Sequence, residues 1–386
     1  MNSSQDLVIR VGTSQLSKHG EPICGDSIEV VSTDDSAVIV LSDGLGSGIK
    51  ANILSTMSVK MASTMLVKGR PVDEVMEAMT KTLPVCQVRR LAYSTLSILQ
   101  VRDRGIYLAE YDNPKAFVGN VEGNRSISRK GRDVGEREIW ESQFQMEDGD
   151  WIVMVSDGVL HAGIGGIWNL GWGRERVGAF IQKVLRAHPD AQDAADEIAD
   201  VTEKLYAGKP GDDASIVVVR ARRRQYLTVM MGPPRNREKD TMVVHHLMAG
   251  PGRKVVAGGT TGNIVARVLD RKFEVDLASD CNGIPPVAEL SGVDLVTEGV
   301  LTLNRVCFLL KSKVRSRNLY GKRDGASRLA EMLLGSDDIT LLVGQAVNPA
   351  HLGSGIPAAL ALKPQLTEDL IGQLRERGKK VRVEYF

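Results

Sequence analysis

Cysteine, net charge and long apolar runs are all scarce in this 386-residue chain, and each scarcity excludes something. The four cysteines, Cys24, Cys86, Cys281 and Cys307, are scattered and form no Cys-x-x-Cys pair. That argues against a zinc site and gives a disulfide framework no support. A formal net charge of +1 leaves no global basic field, so neither nucleic acid nor a membrane surface is expected as a partner. No apolar stretch approaches the roughly 20 residues needed to span a bilayer. Met1 to Asp6 is polar, unlike a secretory leader, so the cytoplasm is the expected location. A Cys-x5-Arg nucleophile loop is also missing. Aromatic residues are few, whereas glycine is abundant and often sits beside Asp or Ser, which points to tight, backbone-lined turns.

What is present is nearly the same phrase twice. An apolar run ends in Ser-Asp-Gly at Val38 to Gly44, and another does so at Ile152 to Gly158. Each run is β-branched and long enough for one buried strand, and each sets an acidic residue, Asp43 or Asp157, where the strand should stop. Asp26, in Cys24-Gly25-Asp26-Ser27, precedes the strand-like Ile28 to Val31. Asp212 and Asp213 precede Ile216 to Val219. Four carboxylate positions at strand ends can converge on one rim of a sheet, where they would repel unless protonated or neutralised by cations. An all-oxygen cluster of this kind suits Mg²⁺ or Mn²⁺ better than zinc.

The length calls for two domains. Residues 1–222 read as short strands interrupted by helical stretches at Gly46 to Val67, Val72 to Thr82, Arg174 to Ala187 and Ala191 to Leu205. Strands flanking helix pairs without βα alternation argue for an α+β layered fold. Ile49, Ile53, Met57, Met61 and Met65 recur at helical spacing and are expected to face the core. The Gly-rich His161 to Gly173 reads as a surface loop packed on its own Trp residues, or as a flap beside the rim. Arg220 to Arg224 marks a boundary, read as a solvated linker. Residues 226–386 then read as a smaller α/β domain, with strands at Leu227 to Met231, Lys254 to Ala257, Leu301 to Leu310 and Ile339 to Val343. Its Gly258 to Asn263 segment lacks the ending of a P-loop and the dinucleotide fingerprint. A strand-to-helix turn is the leading reading there, and a phosphate cradle the other.

The ordered acidic set resembles that of the PPM-type (protein phosphatase 2C) serine/threonine phosphatases, in their bacterial stage II sporulation protein E branch. The resemblance rests on Gly25-Asp26, Asp43-Gly44-Leu45-Gly46-Ser47-Gly48 with Ala51 beyond, Tyr111-Asp112-Asn113-Pro114, Ser156-Asp157-Gly158 and Gly211-Asp212-Asp213-Ala214-Ser215. It implies a four-layer αββα sandwich with two Mn²⁺ or Mg²⁺ ions, or a third besides, at one end. Asp43 would bridge two ions, with Asp26 and the Gly44 carbonyl completing one site. Asp157 and Asp212 would hold the other ion, and Asp213 would support its turn.

The implied activity is hydrolysis of phosphoserine or phosphothreonine in a phosphorylated regulatory protein by direct attack of water. A C-terminal domain would answer to a small-molecule or protein signal. A regulatory protein that binds phosphoprotein or ligand on this scaffold, with little turnover, is the alternative. Two departures stand out. Leu45 occupies the place of the eukaryotic branch's His, and the N-terminal phosphate-gripping Arg has only Arg10, Lys18 and His19 as nearby candidates. Attachment of the Gly46 to Val67 helix to Asp43 and Gly44 also raises a switch role for that helix.

Overall fold

The computed structural model describes the chain except for residues 1–6, 33–35, 83–93, 135–136, 167, 277–285, 313 and 347–357. Cys86 and Cys281 fall outside the described residues. The chain divides into two compact units, Met1–Arg223 and Arg224–Phe386.

In the first unit the elements run β1 (Leu7–Leu16), β2 (Ser27–Ser32), β3 (Ser36–Ser42), α1 (Gly48–Val67), α2 (Val72–Thr82), β4 (Leu96–Arg102), β5 (Gly105–Tyr111) and β6 (Phe117–Gly119). They continue with β7 (Lys130–Val134), β8 (Arg137–Gln145), β9 (Trp151–Val155), α3 (Asp157–Leu160), α4 (Arg174–Ala187), α5 (Ala191–Leu205) and β10 (Ala214–Arg223). Two antiparallel sheets form, ordered β2-β3-β4-β5-β8-β7 and β1-β10-β9-β6.

Side-chain alternation explains the layering. In β3, Ile39 and Leu41 point between the sheets, where they meet Ile152, Met154, Val217 and Val219. Val38 and Val40 point outward to α1 and α2. Val153, Val155, Ile216 and Val218 point outward to α4 and α5 on the far side. Each central strand is therefore buried on both faces, which is why its sequence is a continuous apolar run rather than an alternating one. The result is the expected αββα sandwich. Strands β7 and β8 escape a sequence reading because their charged side chains are half-exposed near one edge.

The second unit contains β11 (Tyr226–Met231), α6 (Asp240–Ala249), β12 (Arg253–Ala257), α7 (Gly259–Leu269), β13 (Phe273–Asp276), β14 (Val287–Leu290), β15 (Val293–Thr297), α8 (Val300–Lys311), α9 (Gly325–Gly335), β16 (Asp338–Val343), α10 (Ala358–Glu376) and β17 (Lys380–Tyr385). Its sheet is ordered β13-β14-β15-β12-β11-β16-β17. The five strands from β15 to β17 are parallel, and β13 and β14 run antiparallel at one edge. Helices α8, α9 and α10 cover one face, and α6 and α7 the other, an α/β architecture.

One expectation is corrected here. Leu301 to Leu310 is helix α8, not strand. Thr302, Leu303, Val306, Cys307, Leu309 and Leu310 are its buried residues, and that spacing is helical although the run is largely apolar. Most of the Gly258 to Asn263 segment is the first turn of α7.

Candidate metal centre

Register brings the acidic residues together in two steps. Ser27 pairs with Ser42 across β2 and β3, so Asp26 and Asp43 leave the six-stranded sheet side by side. Val155 pairs with Ile216 across β9 and β10, so Asp157, opening α3, and Asp212, just before β10, leave the four-stranded sheet side by side. Stacking of the two sheets then sets both pairs on one rim. Gln15 of β1 bridges them, its side-chain amide donating to the Asp26 carbonyl at 3.2 Å and to Ser215 Oγ at 3.0 Å.

The electrostatics record this crowding. Asp43 is pushed up to about 9, first by burial and then by the charges of Asp26, Asp157 and Asp212. Burial also pushes Asp26 up to about 6, although the nearby Ser156 and Ser215 hydroxyls pull it part of the way back. Asp212 is raised by burial and by Asp157. Both Asp26 carboxylate oxygens are shut away from solvent with no aligned hydrogen-bond donor. A buried, unpaired acceptor of this kind is expensive unless a cation or proton meets it. Among the described residues, however, no three Asp, Glu, His or Cys side chains are gathered closely enough to hold an ion as they stand. The donor set is therefore right in chemistry, hard oxygen throughout, and arranged as two adjacent pairs rather than one closed cage.

Two glycines make the close packing possible. A Cβ on Gly44 would lie 2.2 Å from the Ala51 carbonyl oxygen of α1, and one on Gly158 would lie 2.1 Å from the Asp213 carbonyl oxygen. Each Ser-Asp-Gly glycine is thus the contact through which its Asp is locked to another part of the rim.

Two residues at the rim, Thr95 and Tyr206, carry no sequence signal, whereas Asn113 and Lys18 stand among the residues the sequence offers. Thr95 and Asn113 hold the Asp43 peptide. Tyr206 donates its hydroxyl to the Gly158 carbonyl at 2.7 Å, and burial together with the charges of Asp212 and Asp157 raises its pKa. The Lys18 backbone N–H donates to Asp213 Oδ1 at 2.9 Å, and the Lys18 charge reaches Asp212. Of the three N-terminal candidates for a phosphate-facing cation, Arg10 is excluded by register. It pairs with Arg220, whereas the rim end of β1 is Leu16, paired with Ala214. Six residues of strand put it about 20 Å from that end. His161 Nδ1 lies 3.8 Å from Asp157 Oδ2. In the loop that follows it, Trp172 is a core residue packed on Phe180, which matches the reading of a loop folded on its own Trp residues.

Helix α1 overturns an expectation. Ile49, Ile53 and Met57 are 61%, 52% and 41% exposed, and only Met61 and Met65 lean on the core. The buried face is Gly48, Ala51, Ser55, Ser58, Val59, Ala62, Ser63 and Leu66. It is fastened by hydrogen bonds: Asn52 to the Cys24 carbonyl at 2.8 Å, Ser55 to the Gly25 carbonyl at 2.6 Å, and Ser58 with Ser94 at 2.6 Å. Small side chains permit the close approach at Gly44 that larger apolar ones would block.

Four layers ordered αββα, with two acidic pairs at one rim, define a phosphatase 2C-type domain. Residues 33–222 match the model of the family described as Stage II sporulation protein E (SpoIIE), and this part of the chain is a domain of that family. Stage II sporulation protein E of Bacillus subtilis (strain 168) is 24% identical over 226 residues, 56% of this chain and 26% of that protein. The chain thus spans about a quarter of that relative's length.

Among solved structures, the PP2C phosphatase domain with a fragment of the regulatory domain of SpoIIE from Bacillus subtilis is similar with a TM-score of 0.48 and 20% identity. The match covers 57% of this chain and 65% of that one. The RsbU and RsbW domains of Rv1364c from Mycobacterium tuberculosis give a TM-score of 0.46 and 15% identity, covering 63% of this chain and 67% of that one. No helix among the described residues is long and apolar enough to cross a membrane.

Proposed function

We propose that residues 1–222 form a metal-dependent phosphatase that hydrolyses phosphoserine or phosphothreonine in a regulatory protein. Residues 226–386 would serve as a sensory or docking unit for a small-molecule or protein signal. The observation that carries this reading is the meeting of Asp26 and Asp43 from one sheet with Asp157 and Asp212 from the other, including an Asp26 carboxylate that is buried and pushed upward by that burial. Asp26, Asp43 and the Gly44 carbonyl would hold one Mn²⁺ or Mg²⁺, and Asp157 and Asp212 another, with Asp43 between them. Such a pair of ions, when bound, supplies an activated water and offsets charge on the phosphoryl oxygens. The chain's own part is to hold the carboxylates against their mutual repulsion. Lys18 adds a cation beside Asp212 where a substrate phosphate would arrive. Leu45 supplies no proton, so the chain offers no side-chain acid at that position.

The test is hydrolysis of p-nitrophenyl phosphate and of a phosphoserine peptide with Mn²⁺, with Mg²⁺ and with chelator, for the native chain and Asp43→Ala. Turnover that needs metal and vanishes in Asp43→Ala is the expected result. Absence of turnover in both, with metal bound, would overturn it. A second reading is a protein that binds phosphoprotein without turning it over. Tight binding of the intact phosphopeptide by the native chain with Mn²⁺ would select that alternative.

A further inference from the structure

We propose that Thr95 and Asn113 are positioning residues of this centre, clamping the Asp43 peptide so that its carboxylate stays directed at Asp26. The inference rests on the phosphatase reading above and names residues that it does not use.

Thr95 grips Asp43 from both sides of the residue. The Asp43 backbone N–H donates to Thr95 Oγ1 at 3.1 Å, and the Thr95 N–H donates to the Asp43 carbonyl at 3.0 Å. The preceding Ser42 hydroxyl closes the clamp by donating to the Thr95 carbonyl at 2.7 Å. A threonine hydroxyl has one proton and two lone pairs, and it rotates to suit its partners. Here the proton goes to Asn113 Oδ1 at 2.9 Å, which leaves a lone pair for the Asp43 N–H. Asn113 is itself anchored, its side-chain NH₂ donating to Ser97 Oγ at 3.0 Å. The amide orientation is thus set by an acceptor role on one side and a donor role on the other.

Local sequence presets Asn113. Asp112 sits at φ +53°, the left-handed conformation that Asp tolerates better than most residues. Pro114 biases the residue before it toward extended backbone. The turn between β5 and β6 therefore delivers the Asn113 side chain to the start of β4, and through Thr95 to the end of β3. Asp43 needs such restraint more than its neighbours do, because burial and three like charges push on its carboxylate.

The experiment uses the full chain with Thr95→Val, Thr95→Ser and Asn113→Ala. Three quantities are read: the Mn²⁺ concentration for half-maximal activation, kcat and KM for p-nitrophenyl phosphate, and amide hydrogen exchange of the segment containing Asp43. Loss of an outer-shell partner should raise the half-activating Mn²⁺ concentration about 10-fold in Asn113→Ala and Thr95→Val, with KM changing by less than about twofold. Thr95→Ser, which keeps the hydroxyl, should recover most of the native behaviour. Exchange at Asp43 should quicken in Asn113→Ala while exchange in β10 stays as in the native chain.

Native metal response in both Asn113→Ala and Thr95→Val, or a Thr95→Ser as impaired as Thr95→Val, would overturn the assignment. If Thr95→Val fails to fold, half-exposed Asn113 carries the test. A native chain with neither Mn²⁺ binding nor turnover sinks the phosphatase reading instead. The exchange measurement still decides whether Asn113 holds the Asp43 peptide, and unchanged exchange rejects it.

Discussion

Helix α2 buries Val72, Val75, Met76 and Met79 on the outer face of the six-stranded sheet, while its charged residues face water. Helix α1 lies on the same face and does the reverse over its first half. It turns Ser, Ala and Gly inward and leaves Ile49, Ile53 and Met57 outside. The hydrophobic effect holds α2. Directional hydrogen bonds to the loop that carries Asp26 and to Ser94 hold the first half of α1, and Gly44, next to Asp43, packs against Ala51. A helix bonded to backbone carbonyls at Cys24 and Gly25 is tied to the geometry of the centre. A helix held by apolar burial can shift slightly with little effect there.

Breaking each helix in its own way should separate stability from metal binding. The largest loss is expected from Met76→Ala, about 2–5 kcal/mol as for other large-to-small core changes. It should lower the denaturation midpoint and leave the Mn²⁺ constant of the folded protein unchanged. Next comes Ser55→Ala, which leaves the Gly25 carbonyl without the Ser55 hydroxyl and should destabilise by about 1–3 kcal/mol. Here Mn²⁺ titration should also weaken, and an unaltered constant would remove the proposed tie between α1 and the centre.

The pH response should differ too. The Asp43 carboxyl is raised to about 9 in the fold, and its unfolded value is about 4. Between those values the native state holds more protons than the unfolded state, so this stabilising contribution is whole below pH about 4 and lost as pH rises toward 9. In chelator, the melting temperature should therefore fall over that range. Asp43→Asn should flatten the slope, whereas Met76→Ala should lower the whole curve and keep it. The smallest effect is expected from Ile53→Gln, within about 0.5 kcal/mol because the side chain is already exposed. A loss beyond 1–2 kcal/mol in a melting measurement would show that the apolar stripe is covered in solution.

Much of the first unit was legible because its chemistry is local. A doubly buried strand reads as an unbroken apolar run, and Asp-Gly after it reads as a turn. The acidic residues fall at strand ends, so their nearness follows once the strands are paired. The second unit was legible in outline, since strands β11, β12 and β16 are short apolar runs. Helix α8 is the exception, because Val300 to Leu310 is an apolar run that suits either structure, and packing among neighbouring helices decided it. Asn113 stands in a motif that the sequence offers, but its partners Thr95 and Ser97 do not, and Thr95, Gln15 and Tyr206 could not be found because each acts through groups that only the fold brings near.

The sequence by itself determined which segments are buried strands, where the chain turns, and that four carboxylates stand at strand ends in an order shared with a phosphatase family. It also determined that the four cysteines form no Cys-x-x-Cys pair. Only the tertiary structure decided which face of α1 lies inside, because periodicity locates a stripe but does not say what covers it. Only the stacking of two sheets decided that Asp26 and Asp43 face Asp157 and Asp212. The physical reason is the same in both cases. Apolar burial is read from composition along one segment, whereas hydrogen bonds and like-charge crowding depend on groups brought together from separate segments of the chain.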